Sequence, residues 1–418
     1  MSMKKEDDGN ITKFRFLPIG TKLILCSFFI SIAAGKWGSY IGIPSMNIFL
    51  PDVLLIIGCI LAALNQKKIQ AQFTIYGIAS ISFFCFQFLR NSEYSVIIRI
   101  RDLIPFIYLL LVPFVFKSFA GLDKAIFVKT LRYASLFHLF WQVPIMIGVL
   151  SPIEVGGIFG YPIFSPRWDH DGIALILGVI AWRRYLSLNL NENNLISVLM
   201  GTVLIVQYSR AALIAFLFTL TLFYFRHLKD KEFGNFTKSY KLAFVSAYLI
   251  VTILIALPLI KNYVPSDSVI SRIGLITNSE NSQKAQQAAT GTANARLYAQ
   301  TTLFNWVKDR QQLFLGVGPG VEMVRDSGAV LFLSGSLDVR SPHSWFYGLV
   351  CRFGYLGAFV WGYLIFAPLI KSRAIFHPLD FPLIGIYPIL ISSLFGVIIE
   401  APFGILPLVI LISISRIS

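Results

Sequence analysis

Residues 195–225 read LISVLMGTVLIVQYSRAALIAFLFTLTLFYF. As one straight helix this run would extend roughly 46 Å at 1.5 Å per residue, well beyond a hydrocarbon core of about 30 Å. As two helices, each arm would measure only about 22 Å. The flanking charges decide between them. Arg183 and Arg184 precede the run, and Arg226, Lys229, Lys231, Lys238 and Lys241 follow it. Only a hairpin keeps both basic clusters on one membrane face, with the other short basic loops. The chain is therefore expected to turn at Tyr208-Ser209-Arg210. Because both arms are short, that turn should lie below the outer surface rather than in open water.

The rest of the chain agrees with this reading. Of its 418 residues, 56% are hydrophobic and 14% charged, against about 25% charged in soluble domains. Apolar runs recur from Phe16 to Ile414, without the ten-residue alternation of an outer-membrane barrel. The fold class is an all-α polytopic membrane protein of about twelve transmembrane helices with one large periplasmic loop that itself contains helix. The spans are expected near 16–35, 48–65, 73–89, 102–119, 132–150, 172–186, 195–209, 211–225, 242–260, 344–370, 381–398 and 402–414. Residues 1–260 carry nine of them, 261–342 form the large outer loop, and 343–418 carry the last three, all within one integral-membrane unit. Acidic Glu6, Asp7 and Asp8 ahead of the first span favour an uncleaved helix over a signal peptide. No internal repeat is visible.

The net charge of +15 would raise a nucleic-acid question in a soluble protein. Here the basic residues sit mainly in short loops, as the positive-inside effect requires, and no nucleic-acid partner is expected. The same rule puts both termini in the cytoplasm and the 261–342 loop outside it. Cys26, Cys59, Cys85 and Cys351 lie within apolar runs and form no CxxC pair, so neither a disulfide framework nor a zinc site is expected.

Within the outer loop, NSENSQKAQQAATG (278–291) is small and polar. TANARLYAQTTLFNWVKDR (292–310) turns helical, with Thr292 as N-cap and Ala293, Leu297, Gln300, Phe304 and Val307 as a mostly apolar stripe. GVGPG (316–320) lacks the strand–turn–helix setting of a dinucleotide fingerprint and reads as a tight turn.

Three side chains converge on the outer face: Arg210 in the hairpin turn, Arg296 in the loop helix, and His343 at the entry to the tenth span. An arginine inside a bilayer costs roughly 2.5–3.5 kcal/mol on insertion scales and needs a partner or a wet cavity. Guanidinium forks match phosphate oxygens, and a histidine with a reference pKa of about 6.5 can accept a proton at neutral pH. Two arginines and one histidine suit displacement of a phosphate leaving group by a hydroxyl. The bland readings are snorkelling for Arg210, a solvated helix charge for Arg296, and an interfacial cap for His343.

The ordered set YSRAA, NARLYAQTTLFNWVKDRQQLFLGVGPG and PHSWFYGLVCRFGYLG, over residues 204–360, resembles the O-antigen ligase and O-antigen polymerase family of bacterial glycan-assembly enzymes. Ser209-Arg210, Asn294-Ala295-Arg296, Gly316-Val317-Gly318-Pro319-Gly320, His343-Ser344 and Gly354-Tyr355-Leu356-Gly357 match its motifs in order, with Ser344 where asparagine is common. The resemblance implies a multi-pass protein of the bacterial inner membrane, in contact with membrane lipid. Its donor would be a glycan on undecaprenyl pyrophosphate. Its acceptor would be another glycan or lipid A-core. Transfer would proceed with inversion and with neither metal nor cofactor. Arg210 and Arg296 would hold the pyrophosphate and His343 would activate the acceptor, with Ser209, Ser344, Gly318 and Gly320 in the binding surface. A repeat-unit polymerase would use the same chemistry. A lipid-linked oligosaccharide transporter would need a midplane polar path, whereas the charges here cluster at the outer face.

Further candidates sit on the same face. Arg99, Arg101 and Asp102 form either a glycan- or phosphate-binding patch or an interfacial ion pair. Glu400 lies at the outer turn of the last hairpin, within reach of sugar hydroxyls. RWDHDG (167–172) is a poor metal site, because three adjacent residues rarely reach one ion, and Asp171 reads as a helix cap. Asp52 and His138 fall inside spans.

Overall fold

In a computed structural model of the chain, residues 17–43, 48–64, 71–119, 122, 124–151, 153–154, 162–184, 192–207, 209–229, 293–333, 340–342, 344–372, 382–396, 398–400 and 402–415 are described. The fold is helical. The first half runs α1 (Ile19–Ala33), the short α2 (Gly35–Gly38), α3 (Leu50–Leu64), α4 (Ala71–Leu89), α5 (Val96–Leu110), α6 (Val112–Phe119), α7 (Lys124–Met146), α8 (Trp168–Arg184), α9 (Glu192–Val206) and α10 (Arg210–Lys229). The second half runs α11 (Ala293–Asp309), the short α12 (Met323–Asp326), a 3₁₀ turn (Ala329–Phe332), α13 (Trp345–Lys371), α14 (Leu383–Phe395) and α15 (Pro402–Ile414). Two small antiparallel ladders interrupt this pattern: β1 (Gly42–Ile43) with β2 (Ile48–Phe49), and β3 (Ile153–Glu154) with β4 (Pro162–Ile163).

The run that opened the reading does break in two. α9 ends at Val206 and α10 begins at Arg210, with Gln207 and Ser209 both buried. The Ser209 hydroxyl accepts the Ala212 N–H at 3.4 Å, the bond by which a serine starts a helix. The expected 102–119 span begins earlier and divides at Leu111, just before Pro113. The span expected at 242–260 lies outside the described residues, as do Thr292 and the 278–291 tract.

α15 is apolar on every side and all of its residues are buried, as expected for a helix at the centre of a large core. α1 and α3 approach closely where Gly20 meets Gly58. A methyl group on Gly20 would stand 2.8 Å from the Gly58 carbonyl, so small residues let these backbones touch. Among the described residues, α13 alone is long and apolar enough to cross a membrane by itself; the other apolar helices are shorter. The count of twelve spans is therefore not shown.

The loop helix forms; of the expected stripe Val307 is buried and Phe304 packs beside it, but the inward face is rotated away from Leu297. Ala299, Leu303 and Val307 are buried against Met323, Val324, Val330 and Cys351, while Leu297 is 56% exposed. The two stripes meet at Val307 and run one residue apart before it, and both satisfy helical spacing. The inward one is decided by α12 and the 3₁₀ turn, which pack on the Leu303 side.

Candidate functional site

The site begins at Asp102, in the second turn of α5. One carboxylate oxygen, Oδ2, accepts hydrogen bonds from the Gly320 N–H at 2.8 Å, from Arg340 Nη2 at 3.4 Å and from Arg352 Nη1. The side chains of Asp102, Arg340 and Arg352 are only 7%, 18% and 9% exposed. Arg352 Nη2 also donates to the Arg340 carbonyl at 3.3 Å. Removing such charges from water is costly, and the cluster holds because each charge is met by hydrogen bonds. Burial pulls the Arg340 guanidinium below its ordinary value and Asp102 pushes it back up; an arginine stays charged in either case.

The glycine-rich turn clips onto a break in α13. At Gly354 the backbone leaves helical geometry, with φ 70° and ψ −175°, a region that L side chains avoid. The opened helix takes its partners from residues 313–314. Tyr355 N–H donates to the Leu313 carbonyl at 2.9 Å and Leu356 N–H to Phe314 at 3.1 Å. In return Val317 N–H donates to Cys351 and Gly318 N–H to the Arg352 carbonyl at 2.7 Å. From the other side, the turn after α4 clamps the same loop. Arg90 donates to the carbonyls of Leu315 and Gly316, and Asn91 to those of Val317 and Pro319. Arg352 is thus held at both ends, by its carbonyl in the clip and by its side chain on Asp102.

Comparison with known families matches residues 195–362 to the O-antigen ligase family. Over this segment the chain is similar to O-antigen ligases. A search of curated proteins gives no match. The matched segment covers about two-fifths of the chain and spans both halves of the clip. The similarity is to a family of membrane glycan assembly.

Beside the Asp102 cluster, a cavity of about 460 Å³ opens between the N-terminal helices, the start of α13 and the turn before α15. Lys36, Arg101, Arg340 and Arg352 line it, together with Asp52, Asp102 and Glu400. Ser341 Oγ donates to Glu400 Oε1 at 3.0 Å. Glu400 is exposed by surface area, but neighbouring groups crowd its carboxylate. Desolvation raises its pKa from the ordinary 4.5, and Arg352 partly opposes the rise.

The residues expected from sequence fall into three groups. Arg101 and Glu400 line the cavity, and Ser344 is buried at the N-cap of α13, next to the cavity residue Trp345. Arg99 points away: it stacks over Phe88, with its guanidinium carbon 4.6 Å from the ring centre. Gly318 and Gly320 face Asn91 and Tyr94 rather than the cavity, although the Gly320 N–H joins the Asp102 cluster. The side chain of Arg210 lies outside the described residues, as does all of His343; Pro342 on one side of that histidine is buried, as is Ser344 on the other. Arg296 is half-buried on α11, one turn before Gln300, whose Nε2 donates to the Pro342 carbonyl at 3.4 Å.

The start of α10 connects to the cavity through a short chain of contacts. Ala212 packs on Gly172, and the neighbouring Asp171 accepts the Lys36 N–H at 2.9 Å and the Arg167 N–H at 2.6 Å. Asp171 is thus not the N-cap read from sequence: α8 begins at Trp168, and from inside its first turns Asp171 reaches back to Arg167 and ties α2 to the helix. The side chains of Asp169 and His170 lie outside the described residues.

Sequence reasoning passed over Arg340 and Arg352. Both stand in the RSPHSWFYGLVCRFGYLG stretch, and an arginine inside a long apolar run was the signal that could have found Arg352.

Proposed function

We propose that the protein is an integral-membrane glycosyltransferase of the ligase type. It transfers a glycan from undecaprenyl pyrophosphate to a hydroxyl of lipid A-core or a similar acceptor, at the periplasmic face of the bacterial inner membrane. The observation that carries this reading is the docking of α11 against Pro342. The helix bearing Arg296 is bonded to the residue that precedes His343, so two of the three proposed groups come from neighbouring chain segments. The twelve-span topology with cytoplasmic termini belongs to the same proposal.

In the reaction, the acceptor oxygen attacks the anomeric carbon. The new glycosidic bond forms as the carbon–oxygen bond to the pyrophosphate breaks, with inversion and without a metal. His343 takes the hydroxyl proton, for which its reference pKa of about 6.5 suits it. Arg210 and Arg296 hold the charge that develops on the departing pyrophosphate.

The test is a deletion strain complemented with wild type or with His343→Ala. Loss of a ligase leaves polymer on the carrier lipid and bare lipid A-core, and the variant should not restore transfer. Single repeats attached to core would instead identify a repeat-unit polymerase with the same donor chemistry. A normal glycan profile in the deletion strain would reject both.

A further inference from the structure

The cavity lining is not what a dense phosphate ligand would select. Four cations share it with three carboxylates, Asp52, Asp102 and Glu400. Asp102 is taken up by Arg340, Arg352 and the Gly320 N–H, but Asp52 and Glu400 remain as acceptors. A pyrophosphate has no hydroxyls to offer them and would be repelled by them. A sugar ring supplies hydroxyl donors for both.

The donors on the wall show a matching need. Among the described residues, Arg101 has neither hydrogen-bond nor ion-pair partner. Arg340 Nε and Trp345 Nε1 are buried without an acceptor, and Asp52 Oδ1 without a donor. Buried polar atoms left in this state cost roughly 1–3 kcal/mol each unless a ligand meets them. Trp345, Tyr40 and Phe49 add flat apolar faces, the usual complement to a few polar groups in a small-molecule site, and the volume falls within the roughly 300–1,000 Å³ of such sites.

We propose that this cavity is a subsite for one acidic sugar unit of the glycan, a hexuronate or a similar monoanionic residue. Its carboxylate would sit on Arg101, with Arg340 Nε completing the contact, and its hydroxyls would donate to Asp52 and Glu400. The proposal rests on the glycosyltransferase reading and specifies the class of sugar handled.

The test titrates methyl β-glucuronide, methyl β-glucoside and inorganic pyrophosphate into the purified full-length protein in lipid nanodiscs at constant ionic strength. Calorimetry and tryptophan emission report binding. The glucuronide should saturate and bind at least about tenfold tighter than the glucoside, the size of effect expected for one charge-assisted contact. Arg101→Gln should reduce that preference to within about twofold while leaving glucoside binding in place. Arg101→Lys, which keeps the charge, should retain part of it and serves if Arg101→Gln does not fold. Equal binding of the two glycosides, a preference unchanged in Arg101→Gln, or no saturation by any probe overturns the proposal. So does pyrophosphate that displaces the glucuronide and is itself lost in Arg101→Gln, since the cavity would then hold the carrier's phosphates and the ligase reading would stand. Conversely, a deletion strain with normal glycans would sink the ligase reading even where the uronate preference is measured.

Discussion

Asp102 pairs with two arginines and anchors a loop through a single oxygen, so removing its charge should be felt in several places. Asp102→Asn takes the shared carboxylate from Arg340 and Arg352, leaving Arg340 only Glu322 at 3.8 Å, and should cost about 3–5 kcal/mol, the range for breaking a buried ion pair. Thermal unfolding in detergent measures the loss. Pairing Asp102→Asn with Arg352→Gln should recover part of it, because the two are coupled and their effects will not add; strict additivity would mean the contact carries little. This cluster was half visible beforehand. Arg101 and Asp102 stood out as a charged patch, and Arg352 carries the signature of a charge within an apolar run. What no local pattern shows is that residues 250 positions apart meet, because periodicity reports a residue's own element and not its partner.

At the scale of elements, hydropathy marks where helices lie but not which way they face. α3, α13 and α15 fall where the apolar runs do, since burial of those runs is what forms them. The orientation of α11 depends on α12 and the 3₁₀ turn, which no spacing rule contains. Leu303→Ala should therefore cost about 2–5 kcal/mol, as for a buried leucine, while Leu297→Ala should stay within about 0.5 kcal/mol. Comparing their melting temperatures checks the rotated face directly, and equal losses would restore the stripe read from sequence. The clip makes a second prediction. A side chain at Gly354 would place its first carbon 2.1 Å from the Phe314 carbonyl on a backbone that already resists one. Gly354→Ala should destabilise by at least about 2 kcal/mol. It should also speed protease nicking of residues 313–320 in intact vesicles.

Across the whole molecule, the cavity couples stability to pH. Glu400 holds its proton more tightly in the folded protein than in the unfolded chain, because desolvation disfavours its ionised form. The resulting penalty is present above its folded pKa and fades as pH falls toward the ordinary 4.5. Glu400→Gln should therefore melt above wild type at pH 8, with the gap closing toward pH 4.5; a constant gap would mean that ionisation is not its source. The charge pattern of the loops was enough to break residues 195–225 into two helices. It could not reveal the cavity, whose walls come from five separate stretches of chain. The clip carries a last consequence, for biogenesis. Arg90 and Asn91 are synthesised early, their acceptors in the glycine-rich turn come some 225 residues later, and the break that receives that turn comes later still, in α13. The turn has no complete docking surface until α13 has emerged, so the clip cannot close before that helix is made.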